Sequence, residues 1–417
     1  MSPGRSISRE AWLAAPSLQK LLSVLSTDGE SARIAGGAVR NALLGQAVAD
    51  VDIATTAPPQ EATRRAAAAG FKVIPTGFEH GTVTVVAGGT PYEVTTLRHD
   101  VETDGRHAKV AFGRDWRRDA ERRDFTINAL YAEADGAVVD LVGGLPDLES
   151  RTIRFIGDAA QRIREDYLRI LRFFRFFAWY GHGRPDAEGL KACARLKDGL
   201  TQLSAERVWS ELKKMLAAPD PSRALLWMRQ TGVLSQILPE SEKWGIDAVH
   251  GLVAAERDLS WSPDPLLRLM SIVPPDAARM AALGKRLRMS NNEANRLAAW
   301  TGTEPAVAAA TDGALRFLLY YGDQQGVSDR LALALASARA KAANDDGAMM
   351  DAAGLSRQLK LAKSWTKPRL PINGADLAAL GLAEGPQLGA ALAALERRWV
   401  ESGFVLSRDE LLNGASL

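Results

Sequence analysis

Asp50 and Asp52 stand one residue apart in the stretch IAGGAVRNALLGQAVADVDIAT, residues 34–55, which also holds Gly36, Gly37 and Arg40. Alternate side chains of a strand share a face, so VADVDIAT read as a strand brings both carboxylates to one spot and turns Val51 toward the core. Two converging carboxylates repel unless a cation separates them. Hard oxygen ligands suit Mg2+, which keeps several waters and commonly binds one or two carboxylates beside substrate phosphates. The glycine pair lets backbone approach a phosphate closely, the helix that follows starts with free N–H groups, and Arg40 adds a cation one turn in. Together these residues point to metal-dependent phosphoryl or nucleotidyl transfer from a triphosphate. Glu93, in YEVTTLR, is either a third carboxylate of that site or a strand-edge charge.

A second constellation lies in REDYLRILRFFRF, within a helix expected over about 158–180. Three residues apart on a helix, Asp166 and Arg169 lie side by side, while Leu168, Leu171, Phe174 and Phe177 mark an apolar side. An Asp acceptor beside an Arg donor complements the amino group and adjacent ring nitrogen of cytosine, and equally those of adenine. Uracil and guanine reverse that pattern and would leave polar groups unpaired, at about 1–3 kcal/mol each. One pair can therefore admit CTP and ATP and reject UTP and GTP.

Taken together, GGAVRNALLG followed by ADVDIAT, then RRDFTINALY at 122–131, LVGGLPDLESRTIRFIGD, EDYLR and SAERVWSELKKML at 204–216 resemble the class II nucleotidyltransferases. These are the CCA-adding tRNA nucleotidyltransferases and bacterial poly(A) polymerases of the polymerase-β-like superfamily. The resemblance spans about residues 31–404, including a tail-like stretch at 370–399, and is strongest before 217. It implies a catalytic pair Asp50 and Asp52 and a triphosphate held by Gly36, Gly37, Arg40 and Arg123. It further implies a ribose side shaped by Asp124 and Asn128, and base choice by Asp166 and Arg169. Arg172 and Arg175 carry over as further nucleotide contacts. The family pattern reads Val-Arg-Asp where this chain has Arg40-Asn41, which removes a charge beside the turn. The 204–216 motif is read as support for the neck, with Ser204 as a cap and Glu206, Arg207 and Glu211 behind it.

The elements that must position these groups follow from the pattern. Strand and helix signals alternate from residue 31 to about 147 and then give way to helices, so the fold class expected is α+β: a small mixed-sheet nucleotidyltransferase head followed by an all-α neck, body and tail. The segments are a helical lead-in at 1–30, the head at 31–147, the neck at 148–240, and a body and tail at 241–417. The charged stretch between Arg98 and Arg123 is expected as a mobile functional loop. Within it, His99-Asp100 resembles the start of an HD metal site, but five histidines without clustering do not supply one. Trp116, among Arg114, Arg117 and Arg118, is a candidate for stacking on RNA or a packing anchor. Arg162, Arg164, Arg169, Arg172, Arg175 and Arg184 form a basic neck surface, continued by Lys213 and Lys214, along which an RNA acceptor stem would lie.

With 52 Lys plus Arg against 50 Asp plus Glu in 417 residues, anionic partners must be held by such local surfaces and not by a global field. The lone Cys193 excludes an intrachain disulfide, and no run of about 18 apolar residues suggests a membrane span. The expectation is thus a cytoplasmic enzyme adding C, C and A to tRNA from CTP and ATP with Mg2+ and no obligatory protein partner. The rival readings are a poly(A) polymerase, a CC-only or A-only adding enzyme, and a silent RNA-binding module.

Overall fold

A computed structural model of the chain describes residues 5–104, 107–242 and 244–413, with backbone alone over 99–104 and 107–110. The chain forms two units, one gathering the residues through Met215 with Arg223–Ile237, the other Leu216–Ser222 with Leu238–Leu417.

The first unit begins with α1 (Pro16–Leu25), β1 (Ala32–Ala35), α2 (Gly37–Leu43), β2 (Asp52–Thr55), α3 (Pro59–Ala68), β3 (Lys72–Gly77), β4 (Thr82–Ala87) and β5 (Thr90–Thr96). There follow β6 (Arg98–Asp104), β7 (His107–Phe112), α4 (Trp116–Glu121), β8 (Leu130–Ala132), β9 (Val138–Asp140) and α5 (Gly144–Glu149). Seven strands make one mixed sheet in the order β3-β4-β5-β2-β1-β8-β9. Val83, Val85 and Ala87 alternate into the core as a half-buried strand requires. β2 pairs antiparallel with β1, where Asp52 faces Ala35, and parallel with β5, where Asp52 faces Glu93.

Asp50 does not share the strand. β1 ends at Ala35 because Gly36, at φ 63°, turns the chain into α2, so no backbone remains for Asp50 to pair with and β2 starts at Asp52. The segment expected as a mobile loop is also more ordered: β6 and β7 form an antiparallel ribbon, and α4 follows with Asp115 accepting from the N–H groups of Arg117 and Arg118. The side chains of His99 and Asp100 lie outside the described residues.

The helix expected over 158–180 is two helices, α6 (Ala159–Glu165) and α7 (Leu168–Tyr180), broken at Asp166 with φ −157° and ψ 108°. Asp166 Oδ1 accepts the Leu168 N–H at 3.0 Å, and its carbonyl accepts the Arg169 N–H at 3.0 Å. The residue thus satisfies the free donors at the start of α7 and does not continue α6. The Tyr167 ring lies against Gly199, where any Cβ would come within 2.0 Å of it. α7 buries Ile170, Phe173, Phe174 and Phe177, and Phe125 sits 4.9 Å from Phe155 and 5.2 Å from Phe176. Each such ring contributes about 1.5–3 kcal/mol through burial, enough to hold the α7 axis against the head. The unit is completed by α8 (Ala187–Leu196), α9 (Ala205–Leu216), α10 (Ser222–Gln230) and α11 (Val233–Ile237).

The second unit is helical throughout its described residues: α12 (Ala248–Asp258), α13 (Pro265–Ser271), α14 (Ala277–Arg286), α15 (Asn291–Gly302), α16 (Asp312–Tyr321), α17 (Gln324–Lys341) and α18 (Asp346–Ser364). The short α19 (Gly374–Ala379), the longer α20 (Pro386–Glu401) and the short α21 (Arg408–Asn413) close it around Tyr320, Trp399 and Phe404. Arg268, 1% exposed, donates to Glu256 at 2.6 Å and to backbone carbonyls at Leu216 and Ala218. That buried cation is fully matched, as its burial demands. The mixed-sheet head with helices after it is the α+β fold expected. No helix of the described residues is long and apolar enough to cross a membrane.

Candidate active site

A cavity of about 550 Å³ collects residues from four separate stretches of the first unit. Gly36, Gly37 and Arg40 come from the first turn of α2; Arg123, Asp124 and Asn128 from the turn before β8; Asp166, Arg169, Arg172 and Phe176 from the α6–α7 joint and α7; and Arg207 from α9. Gly36 is favoured by its left-handed backbone, and the space beside it is tight. A Cβ there would sit 3.0 Å from Arg123 Nη1 and 3.2 Å from the Asn128 carbonyl.

Arg40 is 7% exposed and held entirely by neutral groups. It donates from Nη1 to Asn128 Oδ1, from Nη2 to the Tyr180 hydroxyl at 2.8 Å, and from Nη2 and Nε to Asn41 Oδ1 at 2.9 and 3.1 Å. Its guanidinium carbon lies 4.1 Å from the centre of the Tyr180 ring. Burial pulls its pKa below the ordinary value, against the pull of Tyr180. The other cavity arginines all have carboxylates: Arg123 with Asp119 at 3.3 Å, Arg169 with Glu165 at 2.5 Å, Arg172 with Asp124 at 2.5 Å and Arg207 with Asp166 at 2.7 Å. Among the described residues, then, Arg40 is the cavity cation without a counter-charge, and Asn41 meets it with a neutral amide oxygen.

Arg123 is fixed from behind. Asp119, 1% exposed, accepts from Arg122 at 2.7 Å and from the Tyr131 hydroxyl at 2.6 Å, and the Arg123 Nη1 donates to the Asn128 carbonyl at 3.1 Å. Burial alone would raise the Asp119 carboxyl, but Arg123, Arg122 and Tyr131 hold it below the ordinary carboxylate range. Asp124 is held low in the same way: burial opposes, and Arg172, Asn128 and the Phe125 N–H prevail.

Asp166 and Arg169 both line the cavity, but not as a mutual pair. Although the Asp166 carbonyl accepts the Arg169 N–H, their side chains turn to other partners: Asp166 Oδ2 is engaged by Arg207, while Arg169 Nη1 is engaged by Glu165 and by the Arg162 carbonyl at 2.6 Å. Each is oriented by its own partner. That leaves Arg169 Nε and Nη2 and the remaining lone pairs of Asp166 for a ligand.

Asp50, Asp52 and Glu93 do not line this cavity. Asp52 opens to solvent at the sheet surface but loses part of its hydration there. That desolvation, with the like charges of Glu93 and Asp50, pushes its pKa up, and Arg123 works in the opposite direction. Clustered repelling carboxylates of this kind are what a divalent cation relieves. Among the described residues no three His, Cys, Asp or Glu side chains stand close enough to form a full ligand set. Arg175 is likewise outside the lining: it donates to Glu211 at 2.6 Å and lies 4.4 Å over the Phe176 ring.

The neck arginines do not make the outward basic surface expected. Arg162 donates to Glu165 and to the carbonyls of Arg122 and Arg123, and Arg169, Arg172 and Arg175 point inward to acids, whereas Arg164, Arg184, Lys213 and Lys214 remain exposed. Four inward arginines could not stay half-buried without such partners, so the acids decide the orientation. Trp116 is a packing anchor, edge-on to Tyr131 at 5.1 Å, beneath Arg33 at 4.2 Å, and donating to Ser31 Oγ at 3.2 Å. Sequence reading undervalued Arg207, taken as neck support, gave Glu165 no role of its own, and did not find Asp119, Tyr131 or Tyr180. Of these, Asp119, three and four residues ahead of Arg122 and Arg123, and Glu165, three after Arg162 and four ahead of Arg169, carried a local signal. A larger hollow of about 700 Å³ along α6 and α8 holds none of the residues assigned to the metal, triphosphate or base, and its Arg154 and Asp186 pair with each other at 2.8 Å.

Residues 32–154 match the poly A polymerase head domain, and residues 184–244 match the domain described as a probable RNA and SrmB-binding site of polymerase A. The mitochondrial CCA tRNA nucleotidyltransferase 1 of Mus musculus is 36% identical over 408 residues, which cover 95% of this chain and 89% of that protein. A CCA-adding enzyme of Levilactobacillus brevis is 32% identical over 385 residues, covering 90% of this chain and 91% of its own. Among solved structures, the Bacillus stearothermophilus CCA-adding enzyme in complex with CTP superposes with a TM-score of 0.69 at 28% identity, covering 93% of each chain. The Thermotoga maritima CCA-adding enzyme complexed with tRNA shares the fold, with a TM-score of 0.64 at 19% identity over 100% of this chain and 99% of its own.

Proposed function

We propose that this chain, which belongs to the family of CCA-adding tRNA nucleotidyltransferases, adds C, C and A to the 3′ end of tRNA from CTP and ATP, without a nucleic-acid template and with release of pyrophosphate. The observation that carries the assignment of roles is the single cavity in which the glycine turn, the unneutralised Arg40 and the separately braced Asp166 and Arg169 meet.

Arg40 and Arg123, beside the Gly36-Gly37 backbone, hold the triphosphate, the first because it lacks a counter-charge and the second because Asp119 fixes its fork. Asp166 accepts the amino hydrogen of cytosine or adenine, and Arg169 donates to the adjacent ring nitrogen. Arg172, with Asp124, shapes the ribose side. Asp50 and Asp52 are the ligands for a divalent cation, which we take to be Mg2+, with Glu93 opposite Asp52 in register. Such an ion lowers the charge barrier to attack by the RNA 3′-hydroxyl on the α-phosphate. Two carboxylates suffice for an ion that keeps most of its waters. Positioning and charge stabilisation supply most of the catalysis in this chemistry. The cytoplasm, a reducing compartment, suits the lone buried Cys193.

The test is incorporation into tRNA lacking its 3′ end, with each labelled nucleotide offered singly and then together. Two C residues from CTP alone, and a terminal A only when ATP is added, is the expected result. A run of A residues, or addition of U or G at comparable rates, overturns it.

A further inference from the structure

The second unit contains a cavity that the transfer reaction does not use. It has a volume of about 490 Å³ and lies among α12, α13, α15 and α17, with Leu252, Met270, Leu333 and Ala336 on its walls. A narrower hollow of about 180 Å³ shares Pro305, Ala306 and Arg330 with it. Cavities of this size hold a compact organic molecule.

Two polar groups on this lining are left unanswered. Trp300, 2% exposed, has a buried Nε1–H with no acceptor. Arg330, half-buried, donates from Nε to the Trp300 carbonyl at 2.9 Å and stacks 5.3 Å from the Trp300 ring, yet makes no ion pair among the described residues. The other arginines folded into this unit show what is missing. Arg268 has Glu256 at 2.6 Å, and Arg296 has Asp264 at 2.6 Å and Asp329 at 2.8 Å. Burial pulls the Arg330 pKa below its ordinary value, and Glu304 opposes that from beyond ion-pair distance. A water molecule would answer the indole N–H but would leave an apolar hollow hydrated and the guanidinium without a counter-charge. At the rim, Lys341 and His250 are exposed, and Asp247 is the one carboxylate on the lining.

We propose that this cavity binds a small organic anion with a compact apolar body, its anionic end held by Arg330 and Trp300 and its body by the walls from α12, α13 and α17. The proposal is independent of the transfer site: both groups belong to the second unit, and none of the cavity residues bears a motif of the reaction.

The experiment titrates the full chain with 1-anilinonaphthalene-8-sulfonate, an aromatic body carrying one sulfonate, and follows its fluorescence. One saturable site per chain is expected. Arg330→Gln should weaken binding about tenfold and Trp300→Phe about threefold, the loss expected for one charge-assisted and one neutral hydrogen bond. Ala340→Phe, at an exposed rim position, should block the site without touching the core. The uncharged analogue N-phenyl-1-naphthylamine should bind at least about tenfold more weakly than the sulfonate. Nucleotide transfer at the parental rate in each variant certifies the fold. Unchanged affinity in Arg330→Gln and Ala340→Phe, equal binding of the uncharged analogue, or no saturable binding at all overturns the proposal.

Discussion

Replacing Tyr180 by Phe removes one hydroxyl and leaves the ring on which Arg40 rests. The lost hydrogen bond, 2.8 Å from a charged Nη2, is of the kind that contributes about 1.5–3 kcal/mol. The cation–π contact at 4.1 Å remains, as do the Asn41 and Asn128 acceptors, so the lower end of that range applies. About 1.5 kcal/mol is roughly a tenfold effect. Because Arg40 is assigned to the triphosphate and not to the base, the loss should appear as a KM raised about tenfold for CTP and ATP alike, with kcat within about threefold. Tyr180→Leu, which also removes the ring, should raise KM several-fold more. The assay is steady-state incorporation into truncated tRNA with each nucleotide varied, alongside a thermal melt to show the fold intact. An unchanged KM, or unequal effects on CTP and ATP, refutes the reasoning. Arg40→Gln separates the two layers: if it also leaves KM untouched, the triphosphate role of Arg40 fails, and not only its support by Tyr180.

Asp52→Asn should abolish transfer while leaving tRNA binding near the parental value, and the rise in melting temperature that a divalent cation gives the parent should disappear; retained turnover overturns the metal assignment. Asp166→Ala should lose discrimination for C and A before losing all incorporation, and Arg207→Met should do the same more mildly, since it frees Asp166 without deleting it; competition assays with all four nucleotides report this. Arg172→Gln should destabilise the fold by about 2–3 kcal/mol, less than a fully buried pair because Arg172 is 31% exposed, measured by denaturant unfolding. The pH dependence follows from Asp124, whose folded pKa lies below its ordinary value of 3.8. Its stabilisation is present above that pH and lost as pH falls through the depressed value, so the parent and Arg172→Gln should converge in acid and differ at neutrality.

The chemistry was legible where it is local. Gly36 and Arg40 could be read from spacing because a turn and a helix start set their geometry, whereas Arg123 came only with the resemblance. The break at Asp166 was not, because REDYLRILRFFRF keeps an unbroken helical period and has no Gly or Pro to mark an end. The one available sign was an Asp two residues ahead of an apolar run, an ordinary capping arrangement. The β6–β7 ribbon was hidden by its charge, although Asp104-Gly105 in the sequence is a hairpin turn signal. The pairings of Arg207 with Asp166 and of Arg40 with Tyr180 join residues 41 and 140 positions apart, and no periodicity reports a contact of that kind.

The joint between α6 and α7 also sets a phase. Arg169, Arg172 and Phe176 reach the cavity because α7 starts at one fixed angle, and Tyr167 against Gly199 pins that angle. One residue inserted between Asp166 and Leu168 would turn every side chain of α7 by about 100° relative to the joint. Such an insertion would carry the three off the cavity together while leaving each of them in the sequence. On the roles proposed for Asp166 and Arg169, base choice depends on rotational register, and a chain with every motif letter intact but one residue too many at the joint should fold its helices and fail to choose a base.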